Sequence, residues 1–149
     1  MNRVRAFASV RTLPAILLVG LLPYLPHQAK ADAAVAVGVP SSVKKAGYAY
    51  GRTTNSADMQ TASDHALNNC RTAKDASPEA KNLCYVVMTF RNQCIALALD
   101  PQAGTPGAGW AVAPTRDAAE LQAMAQCVAT AGPDRRDACK ISDSACDGQ

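Results

Sequence analysis

The sequence predicts an α+β fold: a mainly antiparallel sheet with two helices on one face, built from a duplicated β-α-β unit and stapled by disulfides. Three observations lead there. A run of strand, helix, cysteine and strand occurs once in each half of the chain. Two helical stretches each carry a narrow stripe of small residues. Six cysteines, an even number, all lie beyond residue 31.

The first segment sets the compartment. Arg3, Arg5 and Arg11 precede an apolar run over residues 13–25, and Ala29-Lys30-Ala31 places small side chains before Asp32. That order is the order of a secretory signal peptide, with cleavage expected between Ala31 and Asp32. A membrane span needs about 20 apolar residues, and this run is shorter and interrupted by Pro23. A lipid anchor would need a cysteine just after the run, whereas the first cysteine is Cys70. Residues 1–31 are therefore expected to be removed, leaving 32–149 as a single disulfide-rich domain without a membrane anchor, periplasmic or secreted.

Removal of that segment takes four of the 15 Lys+Arg with it, so the remaining bases and the 12 acids nearly balance. The net positive charge belongs to targeting, and no nucleic-acid partner is expected. Aromatic side chains are few, and a core of Ala, Val and Leu buries little area per residue at roughly 25 cal/mol per Å². Covalent cross-links offset such a deficit.

Strand patterns cover residues 34–37, 47–51, 85–90, 95–99, 110–113 and 138–142. Between the second and third, Met59, Ala62, Ala66, Leu67 and Cys70 recur at helical spacing. Leu121, Met124, Ala125 and Val128 do the same in the second half. Ser56 and Thr115 are the expected N-caps, with Asp58 and Asp117 in the first turns. Arg91-Asn92-Gln93 reads as a hairpin turn, and residues 100–109, with Pro101, Gly104, Pro106, Gly107 and Gly109, as a turn-rich connector between the halves.

Aligning the halves narrows the fifteen ways of pairing six cysteines. Cys70 with Cys84 and Cys127 with Cys139 become equivalent bridges from a helix end to the following strand, and Cys94 then pairs with Cys146. A Cys84 to Cys94 bridge fits less well, because a turn at Arg91-Asn92 places Cys94 opposite Thr89. The alternatives to this set remain open. A metal site is not expected: there is no C-x-x-C pair, and His65 is the one histidine left after cleavage.

These residues together resemble a known family. AAVAVG at 33–38, GYAYG at 47–51, Ala66-Leu67 before Cys70, and Cys84-Tyr85-Val86-Val87 make up the first part. FRNQC at 90–94, GWAVA at 109–113 and the closing Cys139 and Cys146 make up the second. The combination is similar to the bacterial domain of unknown function 4189 (DUF 4189) family over almost all of the mature chain. That resemblance implies a secreted or periplasmic bacterial domain of about this size, and it brings no activity or catalytic residue with it.

The remaining candidates are weak as chemistry. His65 would need a nearby hydroxyl, Ser63 or Thr61, and an orienting carboxylate to work as a base. A pair among Asp58, Asp64, Asp100, Asp117 and Glu120 would have to stand about 5 to 10 Å apart to hydrolyse a glycoside. Asp58 and Asp117 read better as first-turn charges and Arg116 with Glu120 as a helical ion pair. Tyr48 and Tyr50 alternate onto one face, as do Trp110 and Val112. Core packing beneath the helices is the expected role for them, with a binding platform as the alternative. Residues 90–93 and 100–109 are the loops where a partner surface is sought, and Asp134-Arg135-Arg136-Asp137 reads as a solvated turn. No catalytic residue, cofactor or metal is assigned. The leading reading is a non-enzymatic exported binding or interaction module, inhibitor-like or an envelope accessory, whose partner is an envelope or extracellular protein. The alternative is a small secreted hydrolase using carboxylate or hydroxyl chemistry.

Overall fold

Two strands buried on both faces organise the chain, and each becomes the centre of its own sheet. The computed structural model describes residues 32–102 and 104–148. The signal peptide expected over 1–31 lies outside the described residues.

Strand β1 (Asp32–Gly38) pairs antiparallel with β2 (Ala49–Ser56) on one side and β3 (Tyr85–Phe90) on the other. Strand β4 (Cys94–Leu99) pairs antiparallel with β5 (Ala108–Ala113) and β6 (Lys140–Cys146). The expected single sheet is thus two three-stranded sheets, ordered β2-β1-β3 and β5-β4-β6. Helix α2 (Met59–Arg71) covers the first sheet and α4 (Arg116–Ala131) the second. Three short helices complete the chain: α1 (Val43–Ala46), α3 (Pro78–Asn82) and a 3-10 turn at Pro133–Ala138. Of these, α3 has a start signal in the sequence, Ser77 as N-cap with Pro78 and Glu79 after it, which the periodicity reading passes over.

The helices lie on opposite outer faces rather than on one face. Side-chain alternation along the central strands shows why. Ala34 and Ala36 of β1 pack with Ala62, Ala66 and Cys70 of α2, while Ala33 and Val35 point the other way to Phe90 and Ile95. In β4, Ala96 and Ala98 pack with Ala119, Ala123 and Cys127 of α4, and Ile95 faces the gap between the sheets. Successive strand residues face opposite sides, so the molecule has four layers: helix, sheet, sheet, helix. Small side chains line both helix–sheet contacts, and the larger ones meet between the sheets.

Each half follows the order β-β-α-β, because the central strand precedes the segment in which a β-α-β unit is expected. The halves agree in detail. A β-bulge interrupts the pairing of β1 with β3 between Val35 and Ala36, and that of β4 with β6 between Leu97 and Ala98. Gly51 lies opposite Ala36 and against the backbone of Ala66 and Cys70, whereas Gly109 lies opposite Ala98 and against Ala123 and Cys127. The counterpart of Gly109 is therefore Gly51, not Gly47 as the GYAYG and GWAVA strings suggest.

Local expectations fare unevenly. Thr115 caps α4 by accepting from Ala118 N, but Asp58, not Ser56, caps α2, accepting from Thr61 N at 2.8 Å. The carboxylate offers a stronger acceptor to the exposed amide end than a hydroxyl two residues earlier. Arg91-Asn92-Gln93 is not a hairpin turn: β3 and β4 belong to different sheets, and the segment crosses between them with Asn92 at φ 52°. Disulfides join Cys70 to Cys84, Cys127 to Cys139 and Cys94 to Cys146. The first two tie α2 and α4 to the chain entering β3 and β6. Three disulfides suit a compartment outside the reducing cytoplasm. Among the described residues no helix is long and apolar enough to cross a membrane.

Candidate functional site

Polar contacts tie the two sheets together from the middle of β2 and β6 to the ends of those strands, and clefts open beyond them. Arg52 of β2 reaches across to Asp143 of β6, its Nη2 donating to Oδ1 at 2.8 Å and its Nε to Oδ2. The buried Asp147 carboxylate accepts from Asn55 N at 2.8 Å and Asn92 N at 3.1 Å, holding two residues of left-handed backbone. Gly148 N donates to Asn55 Oδ1 at 2.8 Å; within the first sheet, Arg91, just after β3, donates twice to the buried Asp32 of β1 at 2.6 and 2.8 Å and holds the crossing segment. Bidentate arginine–carboxylate pairs are the geometrically specific kind of ion pair.

Beyond these contacts two clefts open, of about 380 and 220 Å³, and Val43, Tyr48, Tyr50 and Leu97 line both. The smaller is walled by Val37, Val39, Pro106 and Trp110. The wider runs under the connector, past Asp100, Gln102 and Thr105 to Lys74 and Asp75. Tyr48 and Tyr50 sit here because Ala49 between them points to the helix, which turns both rings into the gap between the sheets. The expectation that they pack beneath a helix is corrected, and so is that for Trp110 and Val112, which border the inter-sheet cluster. A helix seated on alanines has no room for a ring.

Among the described residues, the Tyr48 and Tyr50 hydroxyls are buried without a hydrogen-bond partner. Burial pushes both phenols above their ordinary value, and for Tyr50 the Asp143 carboxylate adds to the effect. A buried donor left unpaired costs about 1–3 kcal/mol. Tyr48→Phe and Tyr50→Phe are therefore expected to raise stability by on the order of 1 kcal/mol each, read as an upward shift of the urea midpoint at constant slope.

Asp100 anchors the connector at the mouth. Arg135 Nη2 donates to Oδ1 at 2.6 Å and Nε to Oδ2 at 2.8 Å, and Gln102 N donates to Oδ1 at 3.0 Å. Arg135 therefore leaves the solvated turn in which the sequence placed it, because the 3-10 turn aims it at a buried carboxylate. These bonds, Arg135 first, hold the Asp100 carboxyl down to about 2 from its ordinary 3.8. A carboxyl lowered by folding stabilises the fold above its unfolded value, and that contribution disappears as pH falls from about 4 toward 2. The melting temperatures of wild type and Asp100→Asn are accordingly expected to differ most near neutrality and to converge toward pH 2.

The other candidates are not brought together. His65 is exposed on α2; Ser63 Oγ donates to Met59 O and Thr61 Oγ1 to Asp58. Asp58 caps a helix, Asp64 accepts from Gln60 at 3.1 Å, and Asp117 is exposed. Arg116 donates to Ser144 O and Oγ rather than to Glu120. Among the described residues no cluster of three or more His, Cys, Asp or Glu is arranged to hold a metal. Asp32, Asp143, Asp147 and their partners were missed by sequence reasoning, since these contacts join residues 55 to 92 positions apart. The one available signal was Asn55 and Asn92, a residue type that tolerates positive φ.

Fold and cleft together define a disulfide-bridged α+β domain with a partly apolar inter-sheet site. The chain belongs to the family described as Domain of unknown function (DUF4189), which it matches over residues 33–146. No curated protein and no solved structure matches it.

Proposed function

We propose that this chain is an exported, non-enzymatic binding module, inhibitor-like or an envelope accessory, and that the inter-sheet cleft is its binding surface. The observation that carries this reading is the pair of ring-lined clefts meeting at Tyr48 and Tyr50, between the sheets and beside the Arg52–Asp143 clamp. Concave sites with apolar walls and a few polar groups are where ligands bind. The reading includes removal of residues 1–31 on export to the periplasm or the medium, and internal duplication of the β-β-α-β unit. Of the segment selected from the sequence as a partner loop, residues 100–102 and 104–109 edge the clefts.

Val39 lines the cleft and is 55% exposed, so a charge there disturbs the site and not the core. The oxidised domain is expected to retain a partner from envelope extract, and Val39→Asp to lose it while keeping the wild-type melting temperature. Equal retention by both proteins removes the cleft from the reading. Amino-terminal sequencing of the exported protein should begin at Asp32, and non-reducing peptide mapping should return three bridges.

A further inference from the structure

We infer that the cleft takes an uncharged, extended peptide segment carrying one large apolar side chain; the inference rests on the cleft being the binding surface. Three features of the site lead to this ligand class.

The first is the spacing of donors. Tyr50 of β2 and Tyr48, which leads into it, are two residues apart and line the same clefts; at extended spacing such residues stand about 6.6–6.8 Å apart. Carbonyl oxygens on one side of an extended peptide recur at that same interval. A phenol hydroxyl donates one hydrogen bond, and both of these lack an acceptor among the described residues. A peptide lying along β2 offers one carbonyl to each. Both hydroxyls are covered by the cleft walls, so the walls part as the peptide enters.

The second is the shape and lining of the smaller cleft. At about 220 Å³, walled by Val37, Val39, Pro106 and Trp110, it has room for a single large apolar side chain. A peptide anchored by its backbone on the tyrosines sends alternate side chains toward or away from such a pocket.

The third is charge. Lys74 and Asp75, adjacent and of opposite sign, both line the wider cleft, and the Asp100 carboxylate is already held by Arg135. The site presents no excess charge, so a charged segment would lose hydration there without a counter-ion. A sugar fits the smaller cleft poorly for a related reason, because its hydroxyls would face the walls of Val37, Val39 and Pro106.

The test is selection of short random peptides displayed on phage against the oxidised domain, followed by titration of the synthetic peptides. Trp110 is the only tryptophan in the chain and lines the pocket, so its emission reports occupancy. The expected result is enrichment of uncharged sequences with one aromatic or large aliphatic residue, with a shift of Trp110 emission on binding. Tyr48→Phe/Tyr50→Phe should weaken binding about tenfold or more while the protein becomes more stable, a combination that a merely structural role does not produce. Val39→Asp should abolish binding. Selection of no sequence, or full affinity in the double phenylalanine variant, overturns the peptide inference. A parallel titration with N-benzylacetamide separates the two claims. A Trp110 response to that neutral amide without any peptide binding overturns the peptide but keeps the cleft as a binding surface. Silence toward both, with partner capture undiminished by Val39→Asp, overturns both.

Discussion

Gly109→Ala is expected to lower stability by about 3 kcal/mol or more, and Gly51→Ala by a similar amount. A Cβ at Gly109 would stand 2.3 Å from Ala123 O and 2.5 Å from Cys127 N; at Gly51 it would stand 2.2 Å from Cys70 N and 2.4 Å from Ala66 O. All four atoms are helix backbone, so no side chain can swing aside. The helix has to lift, and lifting it opens the alanine contacts along its whole length. For a domain of this size, melting temperature should fall by on the order of 10 °C or more. Urea unfolding followed by circular dichroism reads the effect, and Gly47→Ala, where a Cβ meets nothing within 4 Å, separates crowding from positive φ. Gly47 has φ 66° and ψ −156°, backbone essentially reserved for glycine, so its variant should show a conformational cost of about 1–3 kcal/mol and no displaced helix. Comparable losses at Gly47 and Gly109 would defeat the claim of close approach.

Removing the Cys94–Cys146 bridge should destabilise the oxidised domain by about 4 kcal/mol, the largest of the three. The bridge spans 52 residues, against 14 and 12 for the others. The longer the loop closed, the more chain entropy the cross-link removes from the unfolded state, and the short loops give about 3 kcal/mol each by the same reckoning. It joins β4 to the last residue of β6, next to the Asp147 clamp, so its loss also frees the end of the chain. Cys94→Ala/Cys146→Ala, compared with Cys70→Ala/Cys84→Ala by urea unfolding, checks the order. A smaller loss for the 94–146 pair would show that native packing, not loop length, dominates.

Periodicity carried much of the fold. The strand at Tyr85–Phe90 was legible to the residue because β-branched and aromatic side chains crowd it, and both long helices were legible as helices. The stripe read for the second, Leu121, Met124, Ala125 and Val128, is not its buried face, which is Ala119, Ala123, Cys127 and Ala131; Leu121 and Ala125 are exposed. What periodicity left open was which surface each buried face meets. AAVAV and CIALA are buried on both sides, and a continuous apolar strand is consistent with one large sheet or with two. The information was nevertheless present in size: alanines alternate with Val35 in β1 and with Ile95 and Leu97 in β4, so the small face admits a helix and the large face a second sheet. Read that way, Tyr48 and Tyr50 could have been placed in the gap, since Ala49 takes the helix side. The clamps had no such signal. An arginine and an aspartate 59 or 91 residues apart look like any two surface charges until the fold sets them side by side.

The alanine and glycine seats of the two helices have no spare volume, so a larger side chain at a seat has to displace a helix. The cleft-lining side chains Tyr48, Tyr50, Leu97 and Trp110 are not among those seats. On the proposed reading of the cleft, the domain is a fixed mount with an exchangeable lining, and an engineer who wants a new ligand has those four residues to work with.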